Sequence, residues 1–378
     1  MKRIEDYFKE HRLFDPNILQ DKCDAEGVQV ITSKKYPQLV MLHYNTREVH
    51  FANKWTEFNR MCRGVIINIE TGEILVHPFN KFFNLCEQPE NQIDNLMKLG
   101  EFEVSEKLDG SMIMIFKDPT TGEYRATTKG SFDSEHGAFA SNIIPDSLKN
   151  DNLHKNFSLM FELIERKFQI VINYEKKGYK PGLYLIGARI NETGEMISFK
   201  EVTELAYTLM VPTLKVYYDY NNLPSVIMAS KRLPVLEEGY VIRFKSNGQM
   251  VKMKGDEYLY AHRFISSLSP KYIIEAMGEG VDPQIMIAAA PEEYKEDVER
   301  ETTAFKEKHR VLTNQLQDYY TDSDRLESRK EFAIWVQNNV PADLRKYLFN
   351  IHDKQALDDK KLYETIAKRD NISGDTKI

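Results

Sequence analysis

The chain has 378 residues, 42% hydrophobic and 29% charged, which fits a globular protein with room for two domains and a sizeable core in each. Its formal net charge of −7 argues against the broad basic surface that wraps duplex nucleic acid, so any polyanion must be held in a local pocket. Cys23, Cys62 and Cys86 are odd in number and lack C-x-x-C spacing, which predicts neither a disulfide framework nor a zinc site and suits a reducing cytoplasm. No apolar run reaches membrane-spanning length, and residues 1–10 are too charged for a signal peptide. The histidines show no H-E-x-x-H spacing, and there is no G-x-x-x-x-G-K-[ST] loop.

From residue 1 to about 255 the pattern is strand-rich. Thr71-Gly72-Glu73, Thr121-Gly122-Glu123 and Thr193-Gly194-Glu195 each separate two runs of β-formers and predict three hairpins. Short helical stretches are expected at 141–148 and 200–209. After about residue 256 the period changes. Tyr294, Val298, Phe305, Leu312, Leu316 and Tyr319 recur at helical intervals and predict a long amphipathic helix over 292–320. Further helices are expected over 325–339, 343–352 and 357–367, with 370–378 disordered. From Leu259 onward there are 18 Lys and Arg against 22 Asp and Glu, which is no general basic grip on nucleic acid. The expected fold is therefore α+β: an antiparallel-sheet domain over 1–258, then an all-helical domain over 259–378.

The most informative segment is Lys107-Leu108-Asp109-Gly110-Ser111, between strands predicted at 102–104 and 112–116. It puts a lysine on a short connection beside a glycine, which permits a positive φ or the close approach of a phosphate. An ordinary lysine has a pKa of about 10.4, so making it nucleophilic at pH 7 costs about 4 to 5 kcal/mol unless its surroundings lower that value. Cationic neighbours are needed, and the sequence supplies candidates. The segment 238–254 reads as a hairpin about Asn247-Gly248, with Lys252 and Lys254 on one strand face. On the bland reading that face is solvated and Val251 and Met253 point inward; facing a pocket, the lysines would attract phosphate and depress a third lysine. Glu238 is either a cation ligand or a surface acid. Arg63 and Lys81 are suited to clamp a triphosphate and Phe82 or Phe83 to border a base, although core packing is the simpler role for the phenylalanines. Glu162, flanked by apolar residues, needs a partner such as a ribose hydroxyl, and Lys129 adds another cation.

In their order, these motifs resemble the covalent nucleotidyltransferases, and among them the RNA ligase 1 family of T-even bacteriophages, which repairs tRNA. The resemblance rests on C-R-G at 62–64, K-F-F-N at 81–84, K-x-D-G-S at 107–111, K-G-S at 129–131, F-E at 161–162, R-x-N-E-T-G-E at 189–195, E-G-Y-V at 238–241 and K-x-K-x-x-x-Y at 252–258. It fades before about residue 40 and in the helical C-terminus. It implies a nucleotidyltransferase domain in which Lys107 attacks the α-phosphate of ATP and the AMP passes to an RNA 5′-phosphate for sealing by a 3′-hydroxyl. Family roles then fall on Lys252 and Lys254 at the α-phosphate, on Arg63, Lys81 and Lys129 at the outer phosphates and on Glu162 at the ribose. Tyr44, Phe83, Gly110 and Tyr258 are placed about the nucleotide, and Glu238 with Asp109 about Mg²⁺ or Mn²⁺. The implied partner is RNA with 5′-phosphate and 3′-hydroxyl ends, a nicked tRNA above all, in the cytoplasm of an infected bacterium if the source is a phage. The C-terminal domain would select that RNA. A DNA ligase or capping enzyme usually carries a β-rich OB module after the K-x-K strand, whereas this chain turns helical. A non-catalytic RNA-binding homologue would be expected to lose at least one of Lys107, Lys252, Lys254 and Glu238, and all are present.

Overall fold

The three Thr-Gly-Glu sites turn the chain in the same way. Gly72, Gly122 and Gly194 take φ of +71°, +73° and +74°, values that glycine adopts without strain. In each turn the threonine hydroxyl accepts from the following glutamate amide at 3.2 to 3.3 Å. The first two turns close hairpins as expected. The third does not: Met196 makes one bridge to Arg189, and Ser198 with Glu201 then forms a capping box that starts the helix Phe199–Leu209.

The computed structural model describes residues 3–267, 269–290, 295–323, 326 and 328–372. The chain divides into two compact units, Met1–Leu259 and Tyr260–Ile378. The strands of the first are β1 Val28–Thr32, β2 Leu39–Tyr44, β3 Arg63–Asn68, β4 Glu73–Val76, β5 Phe83–Asn84, β6 Phe102–Lys107, β7 Ser111–Lys117, β8 Tyr124–Thr128, β9 Phe157–Ile164, β10 Gly182–Ile190, β11 Val216–Tyr217, β12 Gly239–Phe244 and β13 Met250–Lys254. They form three sheets, ordered β1-β2-β3-β4, β10-β9-β7-β8 and β11-β6-β12-β13-β5. Every pairing is antiparallel except β13 with β5. Alternation sets what each sheet buries. In β13 Val251 and Met253 enter a core with Val104, Tyr240, Ile242 and Phe244, so Lys252 and Lys254 must leave by the other face. The first two sheets pack through Leu39, Met41, Ile66 and Val76 against Met114, Phe116 and Phe132.

Three local expectations differ from the structure. The helix expected at 141–148 lies earlier, at Glu135–Asn142, because the Ser134 hydroxyl caps it from Gly137; only a 3₁₀ turn, Asp146–Leu148, follows Pro145. Helices Ile4–Glu10 and Pro16–Ala25 open the region that reads as strand-rich, the second with Asp15 capping and Pro16 in its first turn. The β12–β13 hairpin forms, but Gly248 alone takes a positive φ and Asn247 does not, so the loop is longer than a two-residue type I′ turn.

The second unit is helical throughout its described residues. Its long helix, Lys295–Asp322, buries Val298, Phe305, Leu312 and Leu316 against Ile273, Ile274, Phe332, Val336, Leu344, Leu348 and Leu362. Helices Arg329–Asn339, Arg345–His352 and Asp359–Arg369 follow. Tyr294, Arg325 and the tail 373–378 lie outside the described residues. The heptad-like spacing thus marks a core-facing stripe.

Gly239 is where the central sheet tolerates no side chain. Its φ is +153°, and a Cβ would stand 1.9 Å from the Met253 carbonyl oxygen. Gly239→Ala is expected to destabilise the first unit by about 2 kcal/mol or more, against about 1 kcal/mol for Gly100→Ala, whose φ is +77° with open space around it. Urea denaturation of the two variants checks the ranking.

Candidate active site

Lys107 is the last residue of β6, and Ser111 opens β7 in a different sheet, so Leu108, Asp109 and Gly110 cross between sheets. Gly110 does not take a positive φ. It is needed for close approach, since a Cβ would lie 2.4 Å from the Leu163 carbonyl. Its amide donates to Glu162 Oε1 at 3.0 Å. Asp109 holds the crossing in place. Its carboxylate accepts from the Val171 and Ile172 amides at 2.8 and 3.0 Å and from Tyr258 Oη at 2.8 Å, and its own amide donates to Tyr174 Oη at 2.5 Å.

Pairing across the central sheet sets two rows. Lys107, Gly239 and Lys254 are cross-strand neighbours, and so are Ser105, Val241 and Lys252. Both flanking lysines reach Glu238, the residue before Gly239, whose oxygens they share at 2.8 Å for Lys107 and 3.0 Å for Lys254. Glu238 is only 3% exposed. Beside this pair lies a cleft of about 490 Å³, of a size for a small ligand. Five cations line it, Arg63, Lys81, Lys107, Lys129 and Lys252, against the acids Glu106 and Glu162. Glu106 is turned to Tyr179 Oη and the Lys215 amide.

Crowded, poorly hydrated cations lose affinity for protons. Burial, then Lys107, Lys81, Lys254 and Arg63, pull Lys252 down to about 7. Burial, then Arg63 and Lys81, bring Lys129 down to about 8, and burial also lowers Lys81. Glu162 rises to about 7, chiefly from burial, with Glu238 and Asp109 adding to it and Lys107 opposing. Lys107 goes the other way from the expectation of a depressed lysine. Burial works against its charge, but Glu238, Glu162 and Asp109 outweigh it and raise its pKa above the ordinary lysine value. In this state Lys107 is a paired ammonium, and the depressed lysine is its neighbour.

Of the residues singled out in the sequence, Tyr44, Arg63, Lys81, Lys107, Gly110, Lys129, Glu162 and Lys252 line the one cleft. Five do not line it: Phe83, Asp109, Glu238, Lys254 and Tyr258. Lys254 is engaged by Glu238, with its ammonium 5.0 Å from the Tyr258 ring centre. Tyr258 is buried behind it and supports Asp109. Phe83 is buried against Trp55 with the Lys81 ammonium 5.1 Å from its ring centre, so it steadies Lys81, and Phe82 is the phenylalanine on the cleft wall. Glu238 lies beneath Lys107. The expected metal ligands Asp109 and Glu238 are engaged within the protein: Asp109's oxygens accept from two amides and a hydroxyl, and Glu238 carries two lysines. Among the described residues no group of three or more His, Cys, Asp or Glu is placed to hold a metal ion.

Sequence reasoning missed Met112, whose sulfur accepts from Arg63 Nη1 at 3.2 Å, and the lining residues Ser105, Ile186, Phe199, Leu214 and Val241. Ser105 could have been found: it is two before Lys107 on a strand and shares its face. The others come from elements that pattern alone does not bring together.

The site can bind a polyanion beside a lysine on a braced loop, and comparison with known proteins gives the same neighbourhood. The family described as RNA ligase matches residues 61–265, which include every residue of the cluster except Tyr44. A protein of Autographa californica nuclear polyhedrosis virus, named as a bifunctional polynucleotide kinase/RNA ligase, is 29% identical over 67% of this chain and 37% of its own length. A protein of Thermovibrio ammonificans named as an RNA ligase is 32% identical over 40% of this chain and 39% of its own. The matches thus span well under half of those two relatives. An archaeal ATP-dependent RNA ligase superposes with a TM-score of 0.49 at 14% identity, over 90% of this chain and 96% of that one. With more than half of its length matched, the chain belongs to the RNA ligase family.

Proposed function

We propose that the protein is an ATP-dependent RNA ligase of the nucleotidyltransferase superfamily, working through a lysyl-AMP on Lys107. The observation that carries this reading is the convergence of Lys107 with four further cations on one cleft, above a carboxylate that both flanking lysines share. Lys107 first loses its proton. Its Nζ then bonds to the α-phosphorus of ATP as the bond to the β-phosphate oxygen breaks and pyrophosphate leaves. An RNA 5′-phosphate oxygen next displaces the lysine, giving an RNA-adenylate, and a 3′-hydroxyl attacks the RNA phosphorus and expels AMP. Arg63, Lys81, Lys129 and Lys252 neutralise phosphate charge, and charge neutralisation with positioning is most of what phosphoryl transfer needs. Glu162, whose carboxyl burial pushes up to about 7, suits a ribose hydroxyl. Magnesium enters with the triphosphate, as is usual where the protein offers no cage of its own.

Incubation with α-labelled ATP tests the reading. The wild-type protein should keep label through denaturation and Lys107→Ala should keep none, whereas label on the folded alanine variant at the wild-type level contradicts the assignment. Lys252→Ala is expected to slow labelling about 100- to 1000-fold, the loss of about 3 to 4 kcal/mol typical of a preorganised charge stabiliser. A change within about twofold removes Lys252 from the pocket.

The depressed lysines fix a sign. Anion binding favours the ammonium form, so Lys252 and Lys129, at about 7 and about 8, take up protons when a triphosphate binds, and affinity weakens as pH rises through those values. Calorimetry with a non-hydrolysable ATP analogue in two buffers of different ionisation heat should find an uptake of about one proton at pH 8. Release, or no exchange, contradicts the charge arrangement.

We assign the helical unit to selection of the RNA, with a broken tRNA as its substrate. The pairing of a kinase with a ligase in the name of the viral relative suits an end-repair system. Every residue of the chemical site precedes Leu259, and Tyr258, which holds Asp109, sits in the helix Asp256–Ser267, so the cut must follow that helix. A soluble fragment 1–267 should form the AMP adduct and join simple ends, yet lose preference for a nicked anticodon stem-loop over a linear oligonucleotide. Retention of that preference places selection in the first unit.

A further inference from the structure

The motif R-x-N-E-T-G-E at 189–195 contributes no residue to the cleft, yet its arginine is buried, 3% exposed. Burial pulls the Arg189 pKa down to about 10, which leaves it a cation at neutral pH. Among the described residues no carboxylate pairs with it, so its charge has to be met by other oxygens. Four meet it. Nε donates to the His77 carbonyl at 3.0 Å, Nη2 to the Pro78 carbonyl at 2.9 Å and to Asn80 Oδ1 at 3.0 Å, and Nη1 to the Gly194 carbonyl at 2.6 Å. Three of these acceptors belong to residues 77–80, a stretch outside any strand, since β4 ends at Val76 and β5 begins at Phe83. It leads directly into Lys81.

The same face of β9 and β10 supplies the rest of the seat. Arg189 pairs with Ser158 and Gly187 with Met160, and alternate residues of a strand share a face. The His77 amide donates to Ser158 Oγ at 2.9 Å, and Phe79 lies so close over Gly187 that a Cβ there would stand 2.3 Å from its ring. Phe79, Lys81 and Phe82, which wall the cleft, are thus carried on a stretch with no ladder of its own, held down on β10. The Tyr44, Trp55 and Phe83 rings flank the Lys81 ammonium, their centres 5.1 to 5.8 Å away, so its tip has little freedom to make up for a shifted backbone. Lysine in place of Arg189 would keep the charge but not the clamp, because one nitrogen cannot reach acceptors that the planar fork spans. We propose that Arg189 is a positioning residue that sets Lys81 against the outer phosphates of ATP, and so acts on formation of the lysyl-AMP and not on sealing, when those phosphates have left. The proposal rests on the nucleotide reading above.

The experiment compares full-length wild type, Arg189→Lys, Lys81→Ala and the double variant in two assays. One is transfer of α-label from ATP to the protein; the other is sealing of a synthetic RNA-adenylate to an RNA 3′-hydroxyl with no ATP present. Arg189→Lys should raise the KM for ATP about 5- to 20-fold, the effect of loosened hydrogen bonds, and leave sealing within about twofold of wild type. In the Lys81→Ala background it should add less than about twofold, because two residues that act through one contact are not additive. Thermal unfolding reports whether each variant is folded. Should Arg189→Lys not fold, Asn80→Ala, which removes one arm of the clamp, carries the same comparison with a smaller expected rise in KM. Equal losses in the two assays, an unchanged KM for ATP, or effects that multiply in the double variant overturn the proposal. Wild type that takes no label from ATP overturns the nucleotide reading, and this assignment with it.

Discussion

One buried carboxylate organises the site. Glu238 cannot stay ionised away from water without partners, and the structure supplies two lysines from the strands on either side of it. Gly239 beside it must stay bare, because a Cβ there would stand 1.9 Å from the Met253 carbonyl oxygen and 2.8 Å from the Lys254 Cα, within the backbone of the paired strand. Glu238 also fixes the resting state of Lys107, the proposed nucleophile. Lys107 is held as an ammonium by the charge that positions it. Lys252 and Lys129 have no such partner and are the groups whose protonation yields to crowding. An incoming polyanion is thus met by cations that gain from its arrival, while on the proposed mechanism Lys107 must be released from Glu238 before it reacts.

The second constraint is the passage of the chain between sheets. Lys107 ends a strand of one sheet and Ser111 begins a strand of another, so the connection would be loose without the grip on Asp109. Val171 and Ile172 on the β9–β10 connection and Tyr258 just after β13 supply that grip. The K-x-D-G signature therefore divides its work: the lysine faces the cleft, the aspartate faces the interior, and the glycine permits contact with β9. Tyr258 shows why the end of the last strand belongs to the site although it touches no ligand space.

Much of this was legible in the sequence where chemistry is local. The alternation of Val251 and Met253 with Lys252 and Lys254 gave the lysine face, and the order of motifs from Arg63 to Tyr258 gave the cluster that the cleft gathers. What was not legible depended on three-dimensional partners. Asp109 looks like a cation ligand in one dimension, and only the amides of Val171 and Ile172, 62 and 63 residues away, turn it into a brace. The direction of the Lys107 shift could not be read, because Glu238 lies 131 residues downstream. Phe82 and Phe83 are adjacent and alternate faces, so the choice between them needed the sheet in which β5 pairs with β13. The starts of the helices Pro16–Ala25 and Glu135–Asn142 escaped for a different reason: they are marked by the capping residues Asp15 and Ser134, which lie outside the hydrophobic pattern.

The central claim is that a single lysine, fixed by Glu238 and Asp109, receives the nucleotide. The most direct measurement is to incubate the full-length protein with ATP, digest it and locate the adduct by tandem mass spectrometry. The account predicts AMP on the peptide carrying Lys107 and on no other. AMP on Lys252, Lys129 or Lys81 instead would contradict it, since the charge arrangement described here would then serve a different nucleophile.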